Sequence, residues 1–505
     1  MTAHDAGSAE SAEGAPQRLD ATFVEGALGP LLRQRCGPNR ELVGASIDSR
    51  TTQPGELFIA LPGERADGHD FVLDAIGHGA AGVLISRAVP GLDALDATSA
   101  PAVAVFHVDD TLAALQRLGA AWRASLSGVE VIGITGNVGK TTTRAFAASV
   151  LASAFRVRAS TGSFNNEIGV PLTLLSLTAD TECAVIEMGM YVKGDIALLC
   201  AWARPSIGVV LNVGPVHLER AGSLQAIVEA KRELVEALPA DGHAILNIDD
   251  REVRGMASHT AARVWAFGTA AEAAVRGSDV TPRGAEGFDF TLAHEGASRR
   301  VSMRVPGTHL LSNTLAAATV GLVKGMSLDA VAAALEALRE TPRVRFVRLA
   351  SGATILDDTY NANPASMEAA LDLLGEMPGR RFALLGDMRE LGPLAEESHE
   401  RIGRRAAEVV DALYTVGDLA RGMSDAARAA GLERTQHLDG VEVAAELLRA
   451  SLHEGDVLLV KGSRALALER VVAALAGPSA LAGPSALAGE GAPSDEGAPS
   501  DEGGA

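Results

Sequence analysis

Short apolar runs alternate with longer amphipathic stretches along most of the chain, in three blocks. The first block, residues 20–126, holds strand-like runs at Leu57–Leu61, Gly82–Ile85 and Ala102–Val108 and a helical stretch at Thr111–Ala124. The second, 127–342, opens on the β-branched run Val129–Thr135 and passes through a glycine-rich turn into a helical stretch, Thr141–Ala154. It continues with strand candidates Cys183–Glu187, Ile207–Asn212, Ala244–Asn247 and Val264–Phe267. The third, 343–475, has strand candidates Thr354–Leu356, Ala383–Leu385, Leu413–Val416 and Val457–Val460 with helical segments between them. Strands apolar throughout are buried on both faces, the habit of parallel sheets covered by helices. The expected class is α/β in three domains. The ends break the pattern. Residues 1–19 are rich in Ala, Ser and Glu, and 476–505 repeat Ala-Gly-Pro-Ser-Ala-Leu and then Glu-Gly-Ala-Pro-Ser-Asp. Such segments bury too little apolar surface to offset their ordering entropy, so both ends are expected to be disordered, the second as an acidic tail.

Composition narrows the function. The 505 residues are 47% hydrophobic and 21% charged, ordinary for soluble globular protein, and that length suits about three domains. No run of eighteen apolar residues occurs, so no membrane span is expected. Met1–Gln17 has neither the basic nor the apolar region of a secretion signal. Cys36, Cys183 and Cys200 are odd in number and lack metal-like spacing, which points to reduced thiols and a cytoplasmic location. Lys and Arg number 44 against 64 Asp and Glu, a net charge of −20, and aromatic residues are 4%. Nucleic acid is therefore not an expected partner, although one local cationic site can still take a small anion.

The strongest chemical signal is Gly136-Asn137-Val138-Gly139-Lys140-Thr141-Thr142, between a strand and a helix. Glycines let successive backbone N–H groups turn toward one anion, and the helix N-terminus adds partial positive charge. Lys140 can reach the outer phosphates of a nucleotide and the Thr141 hydroxyl can ligate Mg²⁺. The common spacing G-x-x-x-x-G-K-[ST] would need glycine at Ile134, so this is a shorter loop than that of a generic GTPase or transport ATPase.

Other polar residues fall at strand ends, where ligands of open α/β sheets bind. Glu187 closes an apolar strand and can hold Mg²⁺ beside a nucleotide; alone it would be a solvated strand end. His217 follows Ile207–Asn212, where it is either a metal-side imidazole or a surface residue. Lys231, in Glu229-Ala230-Lys231-Arg232-Glu233, reads from spacing alone as part of a solvated helix face. Asp357-Asp358-Thr359-Tyr360-Asn361-Ala362-Asn363-Pro364 is denser in polar groups than a helix cap requires, and Arg343 lies just upstream with a guanidinium suited to phosphate.

Together these residues resemble the Mur ligase family, closest to its MurF type, over about Ser46 to Val472. The segments that carry the likeness are Gly133 through Thr142, Thr161-Gly162-Ser163-Phe164-Asn165-Asn166-Glu167-Ile168-Gly169-Val170-Pro171, Glu187-Met188-Gly189-Met190, Asp358 to Pro364, Gly386-Asp387-Met388-Arg389-Glu390-Leu391-Gly392 and Lys461-Gly462-Ser463-Arg464. The resemblance implies an N-terminal UDP-substrate-binding α/β domain, a central P-loop-type ATPase domain on a mostly parallel sheet, and a C-terminal Rossmann-like α/β domain. It implies that Gly136 to Thr142 bind ATP, that Glu187 and His217 hold metal, and that Lys231 matches a lysine carbamylated in several members, where it ligates a second Mg²⁺. Asn313, in His309-x-x-x-Asn313, matches an adenine contact, and Arg343 and Asp358 match residues through which the third domain meets the nucleotide. Asp48-Ser49-Arg50 and Asp67-Gly68-His69 resemble the segment that binds the UDP-sugar, and Asn165, Asn166, Tyr360 and Asn361 are implied substrate contacts. One departure is that the family usually carries Asn before the second loop glycine, where this chain has Val138, with Asn137 one place earlier. The Asp-Asn-Pro-Arg motif of the diaminopimelate- or lysine-adding relatives is absent.

The implied activity is ATP-dependent ligation of D-alanyl-D-alanine to UDP-N-acetylmuramoyl-tripeptide through an acyl phosphate, a step of peptidoglycan synthesis, with ATP and Mg²⁺ required and a monomer as the working form. Chemistry supports that order of events: a carboxylate has too poor a leaving group to acylate an amine, and phosphorylation supplies one. Phosphoryl transfer needs positioning and charge neutralisation, which Lys140, the loop amides and Mg²⁺ fit. Two other readings stay open at this point. One is another amide ligase, of the folylpolyglutamate or the diaminopimelate- or lysine-adding kind. The other is a nucleotide-dependent switch, which would turn over ATP without an acceptor amine.

Overall fold

A computed structural model describes residues 19–63, 66–92, 103–214 and 222–477. His217 and nearly all of the two ends expected to be disordered lie outside the described residues. Two compact units divide the chain, one of residues up to Val129 together with Pro171–Glu182, the other of Glu130–Val170 and the chain from Cys183 onward.

The first unit carries a five-stranded sheet ordered Leu32–Cys36, Ala104–Val108, Gly82–Ile85, Leu57–Ile59, Ala45–Ser46. Its strands are parallel except for the edge strand Leu32–Cys36, which runs against Ala104–Val108. Leu57–Ile59 and Gly82–Ile85 are buried at every position, as their unbroken apolar runs predict.

The second unit holds two sheets. The larger has nine strands, ordered Ala297–Met303, Phe288–His294, Val275–Pro282, Arg263–Gly268, His243–Asn247, Ile207–Val210, Glu130–Thr135, Cys183–Glu187, Val157–Ala159. From Val157–Ala159 to Val275–Pro282 the pairs are parallel, and the last three strands form an antiparallel meander. The apolar-run reading missed that meander. Phe288, Phe290 and Leu292 are buried there, but the partner strand Ala297–Met303 exposes its first four residues. Sheets open to water on one side read by alternation, which a search for continuous apolar runs passes over.

Glu130–Thr135 is an interior strand, third from one edge of this sheet, and the chain leaves it first toward Cys183–Glu187 and later returns on its other side as Ile207–Val210. Its C-terminal end is thus the point where strand order reverses, which opens a crevice there. The helix Lys140–Ala152 starts at that point and buries Phe146, Ala147, Val150 and Leu151 in the main core with Ile132, Ile134, Val185 and Leu315. Burial of each large aliphatic or aromatic side chain contributes about 1.5–3 kcal/mol, so the helix start is anchored by its own packing face.

The smaller sheet is ordered Arg345–Arg348, Thr354–Asp358, Val457–Lys461, Arg381–Gly386, Ala412–Val416, Thr435–Leu438. All pairs are parallel but the first. Asp358 and Lys461 therefore end adjacent strands in register.

Candidate active site

The phosphate-type loop is shaped by two close approaches. Gly139, with φ 87°, caps the helix Lys140–Ala152, and a Cβ there would lie 2.3 Å from Asn313 Nδ2. Only glycine fits that combination of left-handed backbone and crowding. No side chain caps this helix, so the amides of its first turn are left for a ligand.

Asn212, at the end of the neighbouring strand, staples the front of the loop. Its Oδ1 accepts from the amides of Asn137 at 3.0 Å and Val138 at 2.9 Å, and its Nδ2 donates to the Val138 carbonyl at 3.0 Å. The Asn137 side chain exchanges two bonds with the Gly214 backbone, at 2.8 and 3.0 Å. In this chain the loop asparagine thus serves as a tether, and Val138 is held through its backbone. Asn313 Nδ2 donates to the Gly139 carbonyl at 3.1 Å and to Thr143 Oγ1 at 2.9 Å, which places it against the loop's second glycine.

Lys140 Nζ folds back onto the Gly136 carbonyl at 2.9 Å. Glu187 is 1% exposed. Its Oε1 accepts from Asn165 Nδ2 at 2.8 Å, while Oε2 is buried without a hydrogen-bond partner. Thr141 and Thr142 are buried, and the Thr141 hydroxyl accepts from Arg343 Nη2 at 2.9 Å. Lys231 is 2% exposed, not on a solvated face. It lines a cleft with Gly136, Asn137, Lys140, Asn165 and Asn166.

Charge around the loop is the reverse of the chain's. Burial holds the Lys140 ammonium below its ordinary range, with Glu187 raising it and Arg343 lowering it. Lys231 lies well below its usual value, by burial and then by repulsion from Lys140. Arg144 is lowered by burial as well. Lys140, Arg144 and Arg343 thus set three cationic side chains around one carboxylate, a local field that suits a polyanion.

The third sheet contributes a second cluster. Lys461, 2% exposed, donates to Asp358 Oδ2 at 2.6 Å and to the Asn361 carbonyl at 2.9 Å. Burial pushes the Asp358 carboxyl up against the pull of Lys461. Asp357 is taken by Arg345 at 2.6 Å and by the Thr359 hydroxyl at 2.7 Å. Asn363 caps the helix Pro364–Gly375 through a reciprocal pair with Ser366, so this part of the polar cluster is a cap after all. Asn361 Oδ1 accepts from the next residue's amide. The Arg343 guanidinium lies 3.8 Å from the Tyr360 ring centroid, and the Tyr360 hydroxyl donates to Ser163 Oγ at 2.6 Å.

Asn166 Oδ1 accepts from the amides of Ile168 and Gly169 at 3.3 and 3.0 Å, capping the turn that follows. In the first unit Ser49 is buried and Arg50 pairs with Asp48 at 2.7 Å. Asp67 begins the short helix Gly68–Phe71, and a Cβ on Gly68 would lie 2.8 Å from the Leu61 backbone. His69 is 2% exposed; its Nε2 accepts the Ser86 amide at 2.8 Å, so Nδ1 carries the proton given to Asp67 Oδ1 at 2.6 Å. Spacing alone missed Asn212, Arg144, Ser163 and the role of Lys461. Asn212 and Lys461 were visible only as polar residues closing apolar strands.

The comparisons agree with one another. The Mur ligase middle domain matches residues 134–321, the Mur ligase glutamate ligase domain 342–464, and the Mur ligase family catalytic domain 41–122. A UDP-N-acetylmuramoyl-tripeptide--D-alanyl-D-alanine ligase of Mycobacterium tuberculosis is 41% identical over 503 residues, covering 90% of this chain and 96% of its own. A crystal structure of MurF from Acinetobacter baumannii aligns with TM-score 0.78 at 28% identity, covering 91% of this chain and 99% of that one. The MurF ligase of Thermotoga maritima in complex with ADP aligns with TM-score 0.71 at 29% identity, over 86% and 96%.

Proposed function

The chain belongs to the Mur ligase family, and from that premise we propose that it ligates D-alanyl-D-alanine to UDP-N-acetylmuramoyl-tripeptide with conversion of ATP to ADP and phosphate. One observation carries the reading: the fully buried Glu187 keeps a carboxylate oxygen without a partner beside an uncapped helix N-terminus and Lys140. A buried charged oxygen left unpaired costs several kcal/mol unless a ligand completes it. The free Glu187 oxygen and the Thr141 hydroxyl are donors of the hard-oxygen kind that Mg²⁺ takes, and the ion when bound there would neutralise phosphate charge.

We assign residues 20–126 to binding the UDP-sugar, 127–342 to binding ATP and 343–475 to a C-terminal domain that meets the nucleotide; each of the three sheets draws its strands from one of these blocks. In this account the Gly139–Thr142 amides and Lys140 hold the outer phosphates, and Arg343 and Asp358 reach the nucleotide from the third sheet. A carboxylate oxygen of the tripeptide attacks the γ-phosphorus and ADP leaves. The dipeptide amine then attacks the acyl carbon, and phosphate departs with one oxygen of the acid. Burial and the neighbouring Lys140 lower the Lys231 ammonium toward the neutral amine that adds to CO₂, which supports carbamylation here. We place the protein in the cytoplasm, its three cysteines forming no disulfide with one another. We take one chain as the working unit.

Mass spectrometry of a mixture of UDP-tripeptide, D-alanyl-D-alanine and ATP tests the reading. The expected product is the UDP-pentapeptide, formed only with all three present. ATP turnover that ignores the dipeptide would instead support a switch.

A further inference from the structure

Two contacts leave the helix Lys140–Ala152 and meet again through the third sheet. Arg144 Nη1 donates to the carbonyls of Ser160 and Gly162, the latter at 2.9 Å, and so fixes the segment that carries Ser163. Ser163 Oγ accepts the Tyr360 hydroxyl at 2.6 Å, Tyr360 carries the Arg343 guanidinium 3.8 Å from its ring centroid, and Arg343 returns to Thr141 Oγ1 at 2.9 Å. The path is a closed ring that begins and ends on one helix. Tyr360 is 41% exposed, so packing alone does not hold its ring in one place. The tether to Ser163 does.

We propose that Ser163 is a positioning residue: through Tyr360 it holds Arg343 where the third phosphate of ATP arrives, so that the ring lets the site tell ATP from ADP. The inference rests on the reading that this loop takes ATP. Thr141 follows Lys140 directly, so a guanidinium bonded to its hydroxyl already stands at the phosphate end of the loop. A cation over an aromatic face with a second bond to a hydroxyl has little freedom left to lose when an anion reaches it. ADP lacks the charge that Arg343 would meet.

The test is calorimetric affinity for a non-hydrolysable ATP analogue and for ADP, both with Mg²⁺, in the full chain and in Ser163→Ala, Tyr360→Phe, the double variant and Ser163→Thr. Tyr360→Phe keeps the stacked ring and removes only the hydroxyl. Each single variant should lose about fivefold in analogue affinity, the worth of one hydrogen bond, with ADP affinity unchanged. The double variant should be no weaker than either single one, because both remove the same bond. Ser163→Thr should restore most of the loss. The proposal is overturned if the variants bind the analogue as the parent does, if ADP weakens equally, or if the single effects add. Failure of the parent chain to make the pentapeptide would overturn the reaction instead, and these affinities do not depend on it.

Discussion

Asp67 and Glu187 both sit in polar segments that sequence marks for function, yet the chain treats them oppositely. Asp67 Oδ1 is taken by the His69 amide and ring, and Oδ2 by Arg87 at 3.0 Å. Burial alone would raise its carboxyl, but the bonds from His69 and Arg87 outweigh that and hold it at about 2. Glu187 is more deeply buried and keeps one oxygen unpaired, amid cations that pair with backbone carbonyls or a hydroxyl. The Asp67 network closes on itself, whereas Glu187 Oε2 stays open. Asp289, Glu376 and Glu469 also keep a buried oxygen without a hydrogen-bond partner, so the open Glu187 oxygen marks a ligand site through its setting, with Lys140 and Arg144 near it and an uncapped helix start at Lys140.

The comparison breaks most visibly at the open end. Lys140→Ala should cut turnover about a thousandfold with the fold intact, as loss of a preorganised charge at a reacting phosphate does. Circular dichroism and steady-state phosphate release measure the two halves of that statement. Glu187→Gln sharpens the contrast, because its effects should part in sign. Turnover falls about a hundredfold while the thermal midpoint holds or rises, since a buried charge with an orphan oxygen is removed. A clear drop in the midpoint would mean that Glu187 is scaffold.

Closed networks should answer in stability. Lys461→Met strands the buried Asp358 carboxylate and should cost about 3–5 kcal/mol in denaturant unfolding of the unit that holds the third sheet. Asp67→Asn should cost about 1–2 kcal/mol, read from the unfolding of the first unit. Its pH dependence has a definite sign. A carboxyl lowered to about 2 in the fold, against an ordinary 3.8, stabilises fully above the ordinary value. That contribution fades as pH falls toward about 2, so the gap between parent and variant should close across that window.

How much of this was legible follows from how far apart the partners lie in the chain. The loop Gly136–Thr142 and the Glu187 strand end were readable because backbone geometry and local order define them. The parallel core was readable because its strands are apolar without a break. Arg343 bonding Thr141 spans 202 positions and Lys461 bonding Asp358 spans 103, and no local period encodes either. Lys231 looked like a charged helix face because its neighbours are charged, yet its own position turns inward. Asn363 stood among functional candidates although its Ser366 partner lay within the same turn.

Oxygen-18 placed in the terminal carboxylate of the tripeptide tests most directly whether the open site exists to phosphorylate an acid. During turnover with ATP and D-alanyl-D-alanine, one labelled oxygen should pass into each inorganic phosphate released. Unlabelled phosphate alongside full product formation would contradict the account, since the acid would then have been joined without ever carrying the phosphoryl group.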